Sequence, residues 1–425
     1  MLDRTKTPQI YPYPRLVMPQ PERITTSDGT VIRNLNLGEL PVNRLTLSWR
    51  YGQISSINQV ALSTLSQIIA EGAAGKSGAA ISELLDYNGA WFKPEMSING
   101  ISLTFHSLNK SFRELLPTFL DIACRPDFPE HELRMVCERM ASQARINQKR
   151  VAFVVAEASR RHLFGENHPL STRPNPDLFL ELTREDIVDT FSKTLLAAKP
   201  NVYIAGATTD LITDLKSSIE SNFKGLPIYQ GREIIPLSPT PGRYYIEVEG
   251  ANQSAVNISI PTINRSHPDY INLRLAVIAL GGYFGSRLMS NIREDKGYTY
   301  GIYSALMGYS EGGAMSISAQ TAPEYVEPLI EEVFNEITRL ANEPMSADEF
   351  EPFKSHCMST LASELDGPFS IIEHHITCEN MGIADGYYER QLDAITHLTP
   401  ATICDVMSRH IDVSQAIIDV AGPAK

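Results

Sequence analysis

Apolar and polar residues alternate from Arg44 to Tyr51, with Leu45, Leu47 and Trp49 on one side. That period of two predicts a half-buried strand, and Val31–Leu37 reads the same way. Over about Ile57–Ala70 the period lengthens. Ala61, Leu62, Leu65, Ile68 and Ile69 fall on one face of a helix, with Gln59, Ser63, Ser66 and Gln67 opposite and Gly72 beyond its end. Further helices are predicted over about Ser77–Asn88 and Phe112–Ile122, and a long one follows the proline turn in PDFPEHELRMVCERMASQARINQ. The stretch LTREDIVDTF, with Thr183 as N-cap, opens the last helix of this half. Strands are predicted around Leu103–His106 and over NVYIAGAT, 201–208.

Residues 1–24 carry five prolines and read as an extended arm. Residues 224–243 hold three glycines and four prolines and read as a linker. After it the pattern begins again. AVNISIP (255–261) matches NRLTLSW (43–49), and KGYTY (296–300) matches NGAWF (88–92). VEPLIEEVFNEI matches FRELLPTFLDI, EPMSADEF matches PDFPEHEL, LTPATI matches LTREDI, and IIDVAGP matches VYIAGAT. All six pairs keep their order at an offset of roughly 208–217 residues, which marks a duplication. The predicted class is α+β: two tandem homologous domains, 25–223 and 244–425, each a mixed, largely antiparallel sheet packed with helices.

The stretch 281–306, GGYFGSRLMSNIREDKGYTYGIYSAL, has the sharpest change of period. Leu273 to Ile292 is apolar at helical spacing, Gly297 is placed to stop the helix, and from Tyr298 the period becomes two. This puts Arg293 at a helix end and Tyr300 near a strand start. A guanidinium and a phenol on rigid elements suit a carbonyl or carboxylate. By spacing alone, the better fit is a surface arginine and a half-buried tyrosine. Gly281 to Gly285 is no phosphate loop, because a helix precedes it and no Lys-Ser/Thr follows. It suits close backbone packing and a kink. Gly312-Gly313 suits either a tight hairpin or a sheet edge left open to an extended peptide.

A net charge of -13 removes the basic face that nucleic acid or an anionic membrane requires. Five scattered cysteines, Cys124, Cys137, Cys357, Cys378 and Cys404, with no C-x-x-C, fit free thiols in a reducing compartment. No apolar run reaches the roughly 18 residues of a membrane span, and the N-terminus has no signal-like apolar core. A cytoplasmic protein is the expectation.

Two tandem α+β repeats with GGYFGSRL followed by IREDKGYTYGIYS resemble the pitrilysin family of inverted-zincin peptidases, in its mitochondrial processing peptidase-like branch. The resemblance covers nearly the whole chain after the arm. It is most specific at Ser286-Arg287-Leu288, at Arg293 with Gly297 four residues on, and at Tyr300. In such enzymes the first half carries H-x-x-E-H on a helix. Two histidines at i and i+4 reach one zinc, and the glutamate acts as base toward the bound water. This chain has no H-x-x-E-H. Counting back from Gly72 puts the motif positions on Ser63, Ser66 and Gln67, which offer poor zinc ligands and no carboxylate base. The third ligand would fall near Ala144, in a segment, Arg139 to Ala156, without an acidic residue. The resemblance therefore implies no zinc cofactor in this chain. It implies instead a zinc-free subunit whose Arg293 and Tyr300 face a homologous, zinc-bearing partner, with unfolded peptides as substrates. The alternative is a purely structural subunit of the same family. A self-sufficient enzyme of another chemistry is a third reading, although no G-x-S-x-G occurs.

Among the ten histidines, Glu373-His374-His375 with Cys378 and Glu379 could set two metal ligands at i and i+4, against an ordinary helix surface. His162, His168 and His410 read as isolated, solvated side chains.

Overall fold

The computed structural model describes residues 16–171 and 175–424. Most of the predicted arm, residues 1–15, therefore lies outside the described residues. In the first half the chain runs β1 (Glu22–Thr25), β2 (Val31–Asn36), β3 (Val42–Arg50), α1 (Gln59–Ile68), a small hairpin of β4 (Gly72–Ala73) and β5 (Lys76–Ser77), α2 (Gly78–Tyr87), β6 (Trp91–Met96), β7 (Gly100–Leu108), α3 (Asn109–Cys124), α4 (Glu130–Asn147), α5 (Val151–Phe164), α6 (Pro176–Leu180), α7 (Arg184–Thr194), β8 (Asn201–Gly206) and α8 (Ile212–Asn222). Thr183 caps α7 in a reciprocal capping box with Asp186. It does not open the last helix of the half, because α8 follows. Residues 224–241 form neither helix nor strand.

The second half runs β9 (Gly242–Glu247), β10 (Ser254–Thr262), α9 (Tyr270–Gly281), β11 (Thr299–Gly308), β12 (Gly313–Thr321), α10 (Val326–Asn342), α11 (Ala347–Ser363), α12 (Gly367–Asn380), α13 (Tyr387–His397), α14 (Pro400–His410) and β13 (Ile417–Gly422). The sheet of the first half has the order β1-β2-β8-β3-β7-β6, and that of the second β9-β13-β10-β12-β11. Apart from the additional β1, the two orders are the same. Each sheet has one parallel pair, β2 with β8 and β9 with β13, among otherwise antiparallel neighbours. The matched sequence pairs occupy equivalent strands, NRLTLSW in β3 and AVNISIP in β10. Two tandem homologous α+β domains result, each with its own core.

The halves also exchange a helix. α5, from the first half, packs on β10 and β13 of the second sheet, while α12, from the second half, packs on β2, β3 and β8 of the first. Under the second sheet, Asp419, with 0% side-chain exposure, meets His162 Nδ1 at 2.7 Å and accepts from Ser159 Oγ at 2.8 Å. Burial pushes the Asp419 carboxyl up, against the opposing pull of Ser159 and His162. Under the first sheet, Glu379 pairs with Arg33 and accepts from Tyr203 Oη at 2.7 Å, and Glu373 pairs with Arg44. Ser48 Oγ donates to Asn380 at 3.1 Å. Amphipathic spacing identifies the covered face of a helix but not the sheet that covers it, so this exchange had no sequence signal.

Two histidine expectations are corrected here. His162 is held by Asp419, and buried His168 bonds the carbonyl of Ile235 at 3.1 Å. The region from Glu373 to Glu379 is not an ordinary helix surface, because most of its polar side chains are engaged by other parts of the chain. His374 Nε2 does meet Cys378 Sγ at 3.5 Å, as the i and i+4 spacing predicts, but its Nδ1 is taken by Glu364 at 2.7 Å. The other side chains leave in different directions: Glu373 to Arg44, Glu379 to Arg33, and His375 to the carbonyl of Pro19 at 2.8 Å. Among the described residues, no helix is long and apolar enough to cross a membrane.

Candidate functional site

The apolar spacing from Leu273 to Ile292 predicts one helix, but α9 ends at Gly281. A Cβ on Gly281 would lie 2.8 Å from both Leu288 Cδ1 and Ser304 Oγ, so glycine lets β11 close onto this point. The chain then forms a wide turn of π geometry, Met289–Asp295, in which Lys296 N bonds Asn291 O at 3.0 Å. Gly297 reverses the chain at φ +67°. Its counterpart in the first half, Gly89, does the same at φ +60°. Tyr298 N bonds Ile292 O at 3.0 Å, and Thr299 Oγ1 donates to the carbonyl of Gln320 at 2.6 Å. The turn and the first residues of β11 are thus fixed to each other and to β12.

The polar side chains of this segment fall into two groups. Buried Arg287 grips Glu349 through two contacts, at 2.7 and 3.1 Å, and ties the segment to α11. Asn291 donates to Glu336 at 2.8 Å, and Lys296 pairs with Glu332 at 2.5 Å, which ties it to α10. Those contacts hold the backbone in place. Arg293 and Tyr300 make none of this kind. Among the described residues, Arg293 has no carboxylate partner, and its guanidinium lies 4.8 Å from the ring centroid of Phe284. Tyr300 is 94% exposed, and its hydroxyl has no hydrogen-bond partner among the described residues. Phe284 and Tyr303 are also exposed. β11 is the outer strand of its sheet, so its outer edge is unpaired among the described residues. Chemically, the segment offers a cation and a phenolic donor on a rigid frame, beside aromatic surface. Gly312-Gly313 is a tight hairpin, with Tyr309 N bonded to Gly312 O at 2.8 Å.

The zinc-motif positions have the opposite character. Ser63 Oγ donates to the carbonyl of Val60 and Ser66 Oγ to that of Ser63, both at 2.8 Å, so both hydroxyls are spent on their own helix. Gln67 is exposed. Val60, one turn before Ser63, packs against Ala141 and Ala144 of α4 and Phe179 of α6. Ala144 is 6% exposed in that contact. Where a third ligand would approach, α1 and α4 are joined by an apolar patch. These residues do not fit a zinc ion: they offer no imidazole, thiolate or carboxylate.

One cluster escaped the sequence reading. His267, Asp269 and His410 hold ligand-type atoms within 4.8 Å of one another. The carboxylate of Asp269 is already engaged by Arg409 Nη1 at 2.7 Å and His410 Nε2 at 2.8 Å, and the His410 bond leads in holding that carboxyl below the usual range. With an arginine on the carboxylate, the cluster joins α14 to the start of α9. The sequence neighbours of His410 give no hint of it, because its partners lie about 140 positions away.

Comparison with known proteins agrees with this picture. Residues 181–355 match the family profile described as "Peptidase M16 inactive domain". A protein of Helicobacter pylori named "Non-peptidase homolog YmxG" is 21% identical over 411 residues, covering 91% of this chain and 90% of its own length. An uncharacterized zinc protease of Streptomyces coelicolor is 26% identical over 122 residues, only 27% of either chain. Among solved structures, the "peptidase M16 inactive domain" from Pseudomonas fluorescens superposes with a TM-score of 0.80 at 22% identity, covering 95% of this chain and 98% of its own. That likeness establishes the fold. With the profile over residues 181–355, the full-length relative and the absent H-x-x-E-H, it makes the chain similar to the non-catalytic members of the M16 peptidase family.

Proposed function

We propose that this chain is the zinc-free subunit of a two-chain metallopeptidase. Its partner would be a homologous chain carrying the zinc motif, and its substrates unfolded peptides small enough to enter a shared chamber. The observation that carries the reading is the state of Arg293 and Tyr300: held on a rigid frame, charged or polar, and free of partners within the chain. Surface arginines and tyrosines are common. A pair presented by a backbone that three neighbouring side chains brace is less so. Zinc in the partner would polarise the scissile carbonyl and its bound water. Arg293 would hold the substrate backbone near that carbonyl, and the Tyr300 hydroxyl would donate to the developing oxyanion. Residues 25–223 and 244–425 would form the two lobes of this chain's half of the chamber, hinged at 224–243. Five free cysteines suit a cytoplasmic location.

The test is reconstitution with the zinc-bearing partner and measurement of peptide hydrolysis. Tyr300→Phe removes one hydroxyl from an exposed ring, so folding and assembly should be unchanged. Turnover should fall roughly 10²–10³-fold, as for other oxyanion donors. Normal turnover by the variant complex would remove the catalytic role, and loss of assembly would make the pair an interface feature of a structural subunit.

A further inference from the structure

A second site lies at the far end of β11. Eight residues separate Tyr300 from Gly308, roughly 26 Å along a strand. There a cleft of about 530 Å³ opens between the loop before α9, the β11–β12 turn and the residues that lead into α13. That volume is within the ordinary range of ligand sites. Its charged lining is one-sided: Arg265 and Arg390, with no carboxylate. The chain has 50 acidic against 37 basic residues, so a cleft whose charged residues are both cations runs against its composition.

The cations are also unspent. Arg265 is half-buried, donates through Nε to the carbonyl of Gly308 at 2.9 Å and lies over the ring of Tyr270. Its two terminal nitrogens have no acceptor among the described residues. A Cβ at position 308 would stand 2.3 Å from Arg265 Cγ, so glycine there is what lets the arginine lie in this position. Arg390 bonds the carbonyls of Asp385 and Ala384, at 2.7 and 3.1 Å, which fixes its side chain and leaves its charge unneutralised. Between these elements Tyr387 is 8% exposed, and its hydroxyl is buried without a hydrogen-bond partner among the described residues. A buried, unsatisfied phenol beside two unpaired guanidinium groups is an incomplete hydrogen-bond set that an anion would complete. Asp269, behind His267, is already taken by Arg409 and His410.

We propose that this cleft binds a small oxyanion, a phosphate or carboxylate group, held by Arg265 and Arg390 with Tyr387 as a further donor. The site is independent of the Arg293/Tyr300 reading and survives its failure. The test is calorimetric titration of the full chain at constant ionic strength in chloride. The probes are inorganic phosphate and an N-acetylated tripeptide with either a free or an amidated C-terminus. The expected result is one site per chain for phosphate, for the free-acid peptide or for both, and none for the amide. Phosphate alone would identify the source as a phosphate group, and the free acid alone as a peptide C-terminus. Arg265→Gln should weaken binding about tenfold or more and Tyr387→Phe by a smaller factor. Exposed Arg390→Gln keeps the test valid if Arg265→Gln does not fold. No binding of either oxyanion, or binding retained in Arg390→Gln and Tyr387→Phe, would overturn the proposal.

Discussion

On α12 every charged side chain facing the first sheet has found a partner; on the segment from Phe284 to Tyr300 the two side chains with most to offer a ligand have none. Glu373 and Glu379 each meet an arginine of that sheet, and on the same helix His374 meets Glu364. Arg293 and Tyr300 meet only an aromatic face and solvent. Both regions are polar and both are held by their neighbours, but they differ in what they leave unpaired. A polar group whose partner lies within the chain is part of the fold. A polar group held in place by other residues, its own bonds unmade, is available to something outside. By the same criterion α1 is structural: Ser63 and Ser66 have turned their hydroxyls onto their own helix.

The largest effect should come from breaking α12's side of this contrast. Glu379→Ala leaves Arg33, 8% exposed, and the Tyr203 hydroxyl without their shared acceptor. Stability should fall by about 3–5 kcal/mol, read by urea unfolding. Loss of less than about 1 kcal/mol would mean that the exchanged helix does not depend on its ion pairs.

A smaller effect should appear with pH. Burial pulls the His374 imidazole down, but its bonds to Cys378 and Glu364 outweigh burial and raise it to about 9. A histidine whose pKa rises on folding stabilises while protonated. Its contribution is complete below the ordinary value near 6.5 and is lost as pH climbs through about 9. At about 1.4 kcal/mol per unit, that loss is at most about 3 kcal/mol between pH 6.5 and 9.5. His374→Gln should flatten the slope of unfolding free energy against pH across this window. An unchanged slope would assign it to other groups.

The smallest expected effect is none. Ser63, Ser66, Gln67 and Ala144 leave no buried ligand charge waiting for a metal, so chelator treatment should not move the melting temperature of this chain. A drop of several degrees, with stoichiometric zinc in the purified protein, would expose a metal site and weaken the division between the two regions.

The duplication was legible in the sequence because both halves keep the same alternation and the same turn glycines, Gly89 and Gly297 among them. From it the matching strand orders follow. The break after Gly281 was hidden because Leu288 and Ile292 continue a helical spacing across GGYFG. Steric contact with Ser304, a long-range property, ends the helix there. His162 and His410 read as solvated because their partners lie 257 and 141 positions away. Arg293 and Tyr300 were found by motif. That they are unpaired is a fact of three-dimensional packing that no local pattern carries.

The central proposal is that these two side chains serve a partner's chemistry. Reconstitution with the proposed zinc-bearing partner, comparing Arg293→Lys, Tyr300→Phe and the double variant, tests this directly. Assembly should be normal in all three. Arg293→Lys keeps the charge but loses the planar fork, so it should mainly raise KM, while Tyr300→Phe should mainly lower kcat. The combined loss should be smaller than the product of the single losses, because under the proposal both groups would act on one bound carbonyl. Full activity in the double variant, with assembly intact, would contradict the account.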